Sequence, residues 1–204
     1  MQFDPKRLRT FTSSARPTMY GAVADGQFQV ATDGVRLIRM PCGETRNVRF
    51  EKGGGMVEGG LDATYYPNVH AVFPREFSQV AWYSATVLRE VAKKALALNK
   101  IQIDELWAQE KGKPAGQRKT LAAVKGLNPP RVLFRPDGTV EGSEPLVGTL
   151  SAGRVQDVVA LNAQFLLDAI TGAKSEIIIR LVDAYSPVQL EHGVETHLIM
   201  PIRL

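Results

Sequence analysis

From Phe77 to Lys100 the residues Val80, Val87, Leu88, Val91, Ala95 and Leu98 fall on one helical stripe, while Arg89, Lys93 and Lys100 fall four and seven apart on another. This pattern predicts an amphipathic helix with a basic side. Val132-Leu133-Phe134 and Thr139-Val140-Glu141 follow, flanking Pro136-Asp137-Gly138 as a hairpin. A short helix comes next, capped by Asn162 and closed by Gly172, and three strands finish the chain. Helix, strands, helix, strands is a twofold internal repeat. Helices interspersed with runs of strands point residues 76–204 to the α+β class. The last strand, Leu198-Ile199-Met200-Pro201-Ile202-Arg203-Leu204, combines apolar residues, a proline and one arginine, and is expected to be built into a site.

Before residue 76 only one helix is clear. In Phe3-Asp4-Pro5, Asp4 can cap, Pro5 suits the first helical position and Phe3 can staple onto Leu8, so a helix is predicted that ends near Ser13 or Ser14. Strands are expected at Thr18 to Ala24 and Gln27 to Met40, with Asp25-Gly26 as a hairpin turn. Cys42 to Gly60 is rich in Gly and charge and predicts a loop containing a strand, and Pro67 to Pro74 predicts an extended linker. The linker is the domain boundary, dividing the chain into 1–66, a connector at 67–75 and 76–204. The last carries a basic insertion at about 105–128, with a helix expected at Gln117 to Lys125.

At 204 residues, 44% apolar and 23% charged, the chain can bury one good core or two small ones. The uncharged stretches are too short to span a membrane, and Met1-Gln2-Phe3-Asp4-Pro5-Lys6 lacks the apolar core of a signal peptide, so a cytoplasmic protein is expected. The net charge of +4 is unevenly spread. Residues 1–20 and 105–128 are each +3 and residues 175–204 are −2, the polarity of a molecule with one DNA-facing surface or simply of solvated charge runs.

Three blocks carry a family resemblance. Leu161 to Ala169, Glu176 to Leu181 and Ser186 to Leu190 resemble the end of the bacterial β sliding clamp, the β subunit of DNA polymerase III. Ala31-Thr32-Asp33-Gly34-Val35-Arg36-Leu37 is similar to a strand and turn of that family, with Val35 where histidine is usual. Tyr66 to Pro74 resembles the family's connector between its second and third domains, without that connector's two arginines. Only 29 residues separate Leu37 from Pro67, so the chain resembles a clamp lacking its first domain and about half of its second.

The resemblance implies a DNA clamp fold, an α+β architecture of antiparallel sheets with helices on one face, a half-domain at 1–66 and a complete domain at 76–204, and a processivity factor for DNA replication or repair. It also implies a pocket for short peptides of polymerases, clamp loaders or repair proteins. Carried over by motif, the pocket residues are Thr32, Gly34, Val35, Arg36 and Leu37, then Pro67 and Val72, then Leu198, Met200, Pro201, Ile202, Arg203 and Leu204. Leu37, Val72, Met200 and Ile202 would supply the apolar groove, and Arg36 or Arg203 could meet an acidic group of the peptide. For duplex DNA held without base reading, the candidates are Lys6, Arg9, Arg89, Lys93, Lys100 and Lys174, each of which reads equally well as a solvated charge. The family closes its ring with twelve helices, so three per chain imply a homo-oligomer of four if that count is kept.

No enzyme, cofactor or metal is expected. His70, His192 and His197 are scattered along the chain, His192 reads as turn surface beside Gly193, and Cys42 stands alone as a bystander. Gly112 to Thr120 resembles a phosphate loop only loosely, with Arg118 in place of the glycine before the lysine. Two main functional readings stay open at this level, beside a third in which a DNA-binding protein keeps the fold but not the pocket's use. One is a clamp that encircles DNA, and the other a non-ring clamp mimic acting as adaptor or competitor for clamp-binding proteins.

Overall fold

The computed structural model describes residues 1–62, 66–127, 129–142, 150–153 and 155–204. It opens with α1 (Pro5–Arg9), where the Asp4 carboxylate accepts the Arg7 N–H at 3.0 Å. The helix stops well before Ser13. The amides of Phe11 and Thr12 bond back three residues, to Leu8 and Arg9, and the Thr12 hydroxyl donates to the same Arg9 carbonyl, which tightens and ends the turn. A 3₁₀ turn at Pro17–Met19 takes the place of the expected start of a strand at Thr18, and β1 begins at Gly21 (Gly21–Asp25).

The stretch Gln27 to Met40 is two strands, β2 (Phe28–Thr32) and β3 (Arg36–Pro41), because the Asp33-Gly34 turn divides it. The Gly-rich stretch after Cys42 holds β4 (Thr45–Phe50) and β5 (Met56–Glu58). The connector contains a 3₁₀ turn at Val69–Val72 and so is not extended throughout. The predicted helix from Phe77 is β6 (Gln79–Ser84) followed by α2 (Ala85–Gly112). Gln79, Ala81 and Tyr83 are buried while Val80, Trp82 and Ser84 are not, a period of two that wins over the helical spacing of Val80 with Val87.

The rest runs α3 (Leu121–Leu127), β7 (Arg131–Phe134), β8 (Val140–Glu141), β9 (Leu150–Gly153), β10 (Val159–Asn162), α4 (Ala163–Ala169), β11 (Glu176–Leu181), β12 (Val188–His192) and β13 (Glu195–Ile199). The helix expected at Gln117 is displaced to α3, Ala115–Gln117 being a 3₁₀ turn. Asn128, at the end of the sequence-defined insertion, lies outside the described residues. Each half of the repeat opens with a strand: β6-α2-β7-β8-β9, then β10-α4-β11-β12-β13. Asn162 caps α4 by accepting the amides of Gln164 and Phe165.

Among the described residues ten strands form one sheet in the order β5-β4-β1-β2-β3-β13-β12-β11-β6-β9, and β10, β7 and β8 form a second. The large sheet crosses from the first part of the chain to the last through the antiparallel pair β3–β13, with Leu37 opposite Leu198 and Arg36 opposite Ile199. Neighbouring residues of a strand face opposite sides. Ala31 and Ile38 pack with Leu8 and Phe11 around α1, and Ile177, Ile179 and Ile199 join the core of α2 and α4. Val30, Leu37 and Leu198 instead pack with Val69 of the connector. The helices α1, α2 and α4 therefore share one face of the sheet and the connector covers the other.

Candidate functional site

The turn between β2 and β3 is built from its own side chains. Asp33 Oδ1 accepts the amides of Val35 and Arg36 at 2.9 and 3.0 Å. Thr32 Oγ1 donates to the Arg36 carbonyl at 2.7 Å and accepts the Gly34 amide at 3.0 Å. Gly34 has φ +83°, a conformation that favours glycine, and a Cβ there would also press on the movable end of the Arg16 side chain. Arg16 folds back over this turn, its Nη1 donating to the Asp33 carbonyl at 2.5 Å.

The connector is held over the sheet by an aromatic sandwich. The Arg39 guanidinium lies 3.8 Å from the centre of the Phe73 ring and 4.8 Å from that of Phe28. Burial lowers the Arg39 pKa, against a smaller opposing influence of Glu191. Tyr66 packs on the same apolar cluster, and its hydroxyl donates to the Val30 carbonyl at 3.4 Å. Burial pushes the Tyr66 pKa up, so the ring stays neutral.

Between turn, connector and β13 lies a cavity of about 420 Å³. Nine residues expected from the sequence converge on it: Thr32, Gly34, Val35, Arg36, Leu37, Pro67, Val72, Leu198 and Met200. Arg16, Met19, Val69 and Pro187 also line it and were not anticipated. Val72 and Met200 are exposed at 46% and 41%, apolar side chains left uncovered at the rim. A second cavity of about 190 Å³ lies on the other side of the connector, and Pro67 and Val69 line both.

The structure sets two groups of expected residues apart from the rest of this groove. Pro201, Ile202, Arg203 and Leu204 are not among its lining residues: β13 ends at Ile199, and the Ile202 amide donates to the Ala160 carbonyl of β10 at 2.8 Å, which carries the chain toward the smaller sheet. Arg36 contributes to the lining, yet its guanidinium is committed to the helix face. Nε meets Asp33 Oδ2 at 3.0 Å, Nη1 pairs with Asp168, and Nη2 donates to the Thr10 carbonyl at 2.8 Å, with the Phe165 ring 4.5 Å away. Three of its five N–H groups are thus engaged by the protein itself. Arg203 is exposed outside the cavity.

Behind the groove, on the helix face, a second cluster forms. Arg7 donates through Nε and Nη2 to the Glu195 carboxylate at 3.1 and 2.5 Å and through Nη1 and Nη2 to the carbonyls of Asp168 and Ala169. His197 is fully buried, its Nε2 3.0 Å from Glu195 Oε2, and stacks 5.2 Å from Phe11 and 5.3 Å from His192. Burial pushes Glu195 up, but hydrogen bonds from His197 and Arg7 outweigh it and hold the carboxyl at about 2. Burial lowers His197 to about 4 against the pull of Glu195.

His192, Glu195 and His197 thus meet, although they look unremarkable in sequence, and the His192 side chain is 9% exposed rather than on the turn surface. The trio is arranged for hydrogen bonding more than for metal. His192 Nε2 lies 2.8 Å from the Ala169 carbonyl and so carries its proton there, and the Arg7 cation already occupies the carboxylate.

Of the residues singled out for DNA, Lys6 on α1, Lys93 and Lys100 on α2 and Lys174 after α4 are exposed. Arg9 and Arg89 have structural work instead. Arg9 Nη2 donates to the Gly55 carbonyl at 2.5 Å with its guanidinium over Phe50, and Arg89 Nη2 donates to the Ala173 carbonyl at 2.8 Å beyond the end of α4. Among the described residues no helix is long and apolar enough to cross a membrane.

No protein-family model matches the chain, and no curated protein matches it in sequence. Solved structures match it in fold. The DNA polymerase III beta chain of Streptococcus pneumoniae aligns with TM-score 0.61 at 14% identity, covering 97% of this chain and 61% of that one. The Helicobacter pylori beta clamp bound to a DNA ligase peptide aligns with TM-score 0.62 at 14% identity, over 100% and 68%. The Bartonella birtlesii sliding clamp bound to griselimycin aligns with TM-score 0.59 at 14% identity, over 97% and 62%. The chain has the α+β fold of bacterial sliding clamps and spans about three fifths of the length of most of these structures.

Proposed function

We propose that this protein is a non-catalytic, sliding-clamp-like processivity factor that seats a short extended peptide of a replication or repair protein in the groove and holds it near duplex DNA. The observation that carries the reading is the groove itself: nine residues named by motif from three separated stretches of sequence line one apolar cavity on the face opposite the helices. The fold likeness to a clamp crystallised with a DNA ligase peptide supports the same reading. Burying one or two large apolar side chains of the peptide contributes about 1.5 to 3 kcal/mol each, and backbone hydrogen bonds set its register. Met19 and Met200 can re-pack around different side chains, which suits several partners.

The exposed Lys6, Lys93, Lys100 and Lys174 meet phosphates without reading sequence, and the tethered partner gains effective concentration at the primer end rather than any chemical assistance. A ring of identical subunits, four if twelve helices line it, completes the tether. The test is direct. The fluorescently labelled DNA ligase peptide is titrated with the wild type and with a Val72→Ala, Met200→Ala variant. Saturable binding that weakens at least tenfold in the variant supports the groove, and equal binding removes it. Light scattering at near-physiological salt addresses the ring: a discrete closed oligomer supports encirclement, and a persistent monomer replaces it with a non-ring adaptor or competitor.

A further inference from the structure

Charge in this chain is concentrated on one projection. Residues 93–125 carry eight Lys and Arg against three acids, a net of +5, so the remaining 171 residues together are −1. The projection is the distal part of α2 and the helix that folds back on it. The core stripe of α2 continues past Lys100 into Ile103, 5% exposed, and α3 packs against α2 with Val124 at 4% exposed. This packing explains why α2 runs on to Gly112. Glu110, the buried acid of this projection, is consumed within the hairpin: its carboxylate accepts from Lys113 Nζ at 2.5 Å and from the Lys119 amide at 2.9 Å.

What is left outside is mainly cationic. Lys111, Lys113, Arg118, Lys119 and Lys125 are exposed on the hairpin, against the exposed acids Asp104 and Glu105. Seven of the eight cations are lysines, compact point charges rather than the planar forks that pair bidentately with single carboxylates. Trp107, the aromatic of this region, is half-buried with Lys111 Nζ 5.7 Å from its ring centre, so it offers no free platform for an unstacked base. A cluster of exposed point charges on one hairpin fits the repeated charges of a polyanion better than it fits a single carboxylate.

We propose that the hairpin of distal α2 and α3 is a second, sequence-independent binding surface for the phosphate backbone of duplex DNA, separate from the helix face of the main sheet. It goes beyond the tether of the proposed function and can succeed or fail apart from it. Lys111, Lys119 and Lys125 supply the contacts, and Lys113 holds Glu110 in place.

The experiment measures binding of a labelled 30-base-pair duplex of arbitrary sequence across a salt series. Three proteins are compared: the wild type, a Lys111→Gln, Lys119→Gln, Lys125→Gln variant, and a Lys6→Gln, Lys93→Gln, Lys100→Gln, Lys174→Gln variant. Thermal unfolding checks that all three are folded. The hairpin variant is expected to lose at least tenfold in affinity at moderate salt and to flatten the log–log salt dependence by about 2 to 3, close to one per phosphate contact removed. If it binds as the wild type does while the second variant loses binding, the hairpin proposal is overturned and the helix-face tether stands. If the wild type ignores duplex DNA, both fail. Anionic phosphatidylserine vesicles serve as the last arm, and loss of vesicle binding in the hairpin variant with no change on DNA assigns the surface to membranes and overturns the proposal.

Discussion

The two faces of the β3–β13 junction are built on opposite plans. On the outer face Leu37 and Leu198 sit under an open apolar cavity rimmed by Val72 and Met200. On the inner face, one residue away along each strand, Arg36 and His197 enter a closed network with Arg7, Asp33, Asp168 and Glu195. Apolar contact is non-directional and would tolerate slippage between the halves of the chain. Charged hydrogen bonds demand particular partners and so specify one register, which leaves the outer face free to stay uncovered.

The largest expected effect breaks the inner plan. Glu195→Ala strands the Arg7 guanidinium beside His197 and is expected to cost about 3 kcal/mol of stability, read as a lowered denaturation midpoint. A Glu195→Ala protein as stable as the wild type would show that packing alone joins the halves.

Acid attacks the same network more gradually. His197 titrates at about 4 when folded against 6.5 when unfolded, and Glu195 at about 2 against 4.5. The folded state therefore binds fewer protons than the unfolded one, and stability falls as the pH drops from about 6.5 through 4 and on toward 2. His197→Phe, which keeps the stacking on Phe11, should remove the upper part of this loss, and chemical denaturation at a series of pH values measures it.

The turn that joins the two faces is next. Gly34→Ala introduces a side chain at φ +83° against Arg16 and is expected to lose about 1 to 2 kcal/mol, with peptide affinity falling in parallel. Equal loss of both properties places the turn in both plans, whereas unchanged stability would assign Gly34 to the groove alone.

The smallest effect sharpens the outer boundary. Leu204 is 69% exposed and outside the cavity lining, so Leu204→Ala should leave both stability and peptide affinity within about 0.5 kcal/mol of the wild type. A clear loss of peptide binding would return the last residues to the groove.

By itself the sequence determined the features that close within a few residues: the Asp4 and Asn162 caps, the hairpin turns at Gly26 and Gly138 and the three final strands, whereas the Asp33-Gly34 turn, which splits an expected single strand, came only with the family resemblance. It also named nine of the thirteen groove residues, since these lie in motif-like stretches. Tertiary structure alone decided the rest. Whether α2 ends near Lys100 or reaches Gly112 depended on α3 arriving to bury Ile103, and whether Gln79–Ser84 is helix or strand depended on β11 and β9 lying alongside it. The direction of the Arg36 guanidinium followed from sheet register, and the partnership of Arg7 with Glu195 joins residues 188 apart in sequence. Local hydrogen-bonding chemistry is written in neighbouring residues, but the side of a sheet on which a charge is buried is set by strands that meet only when the chain has folded.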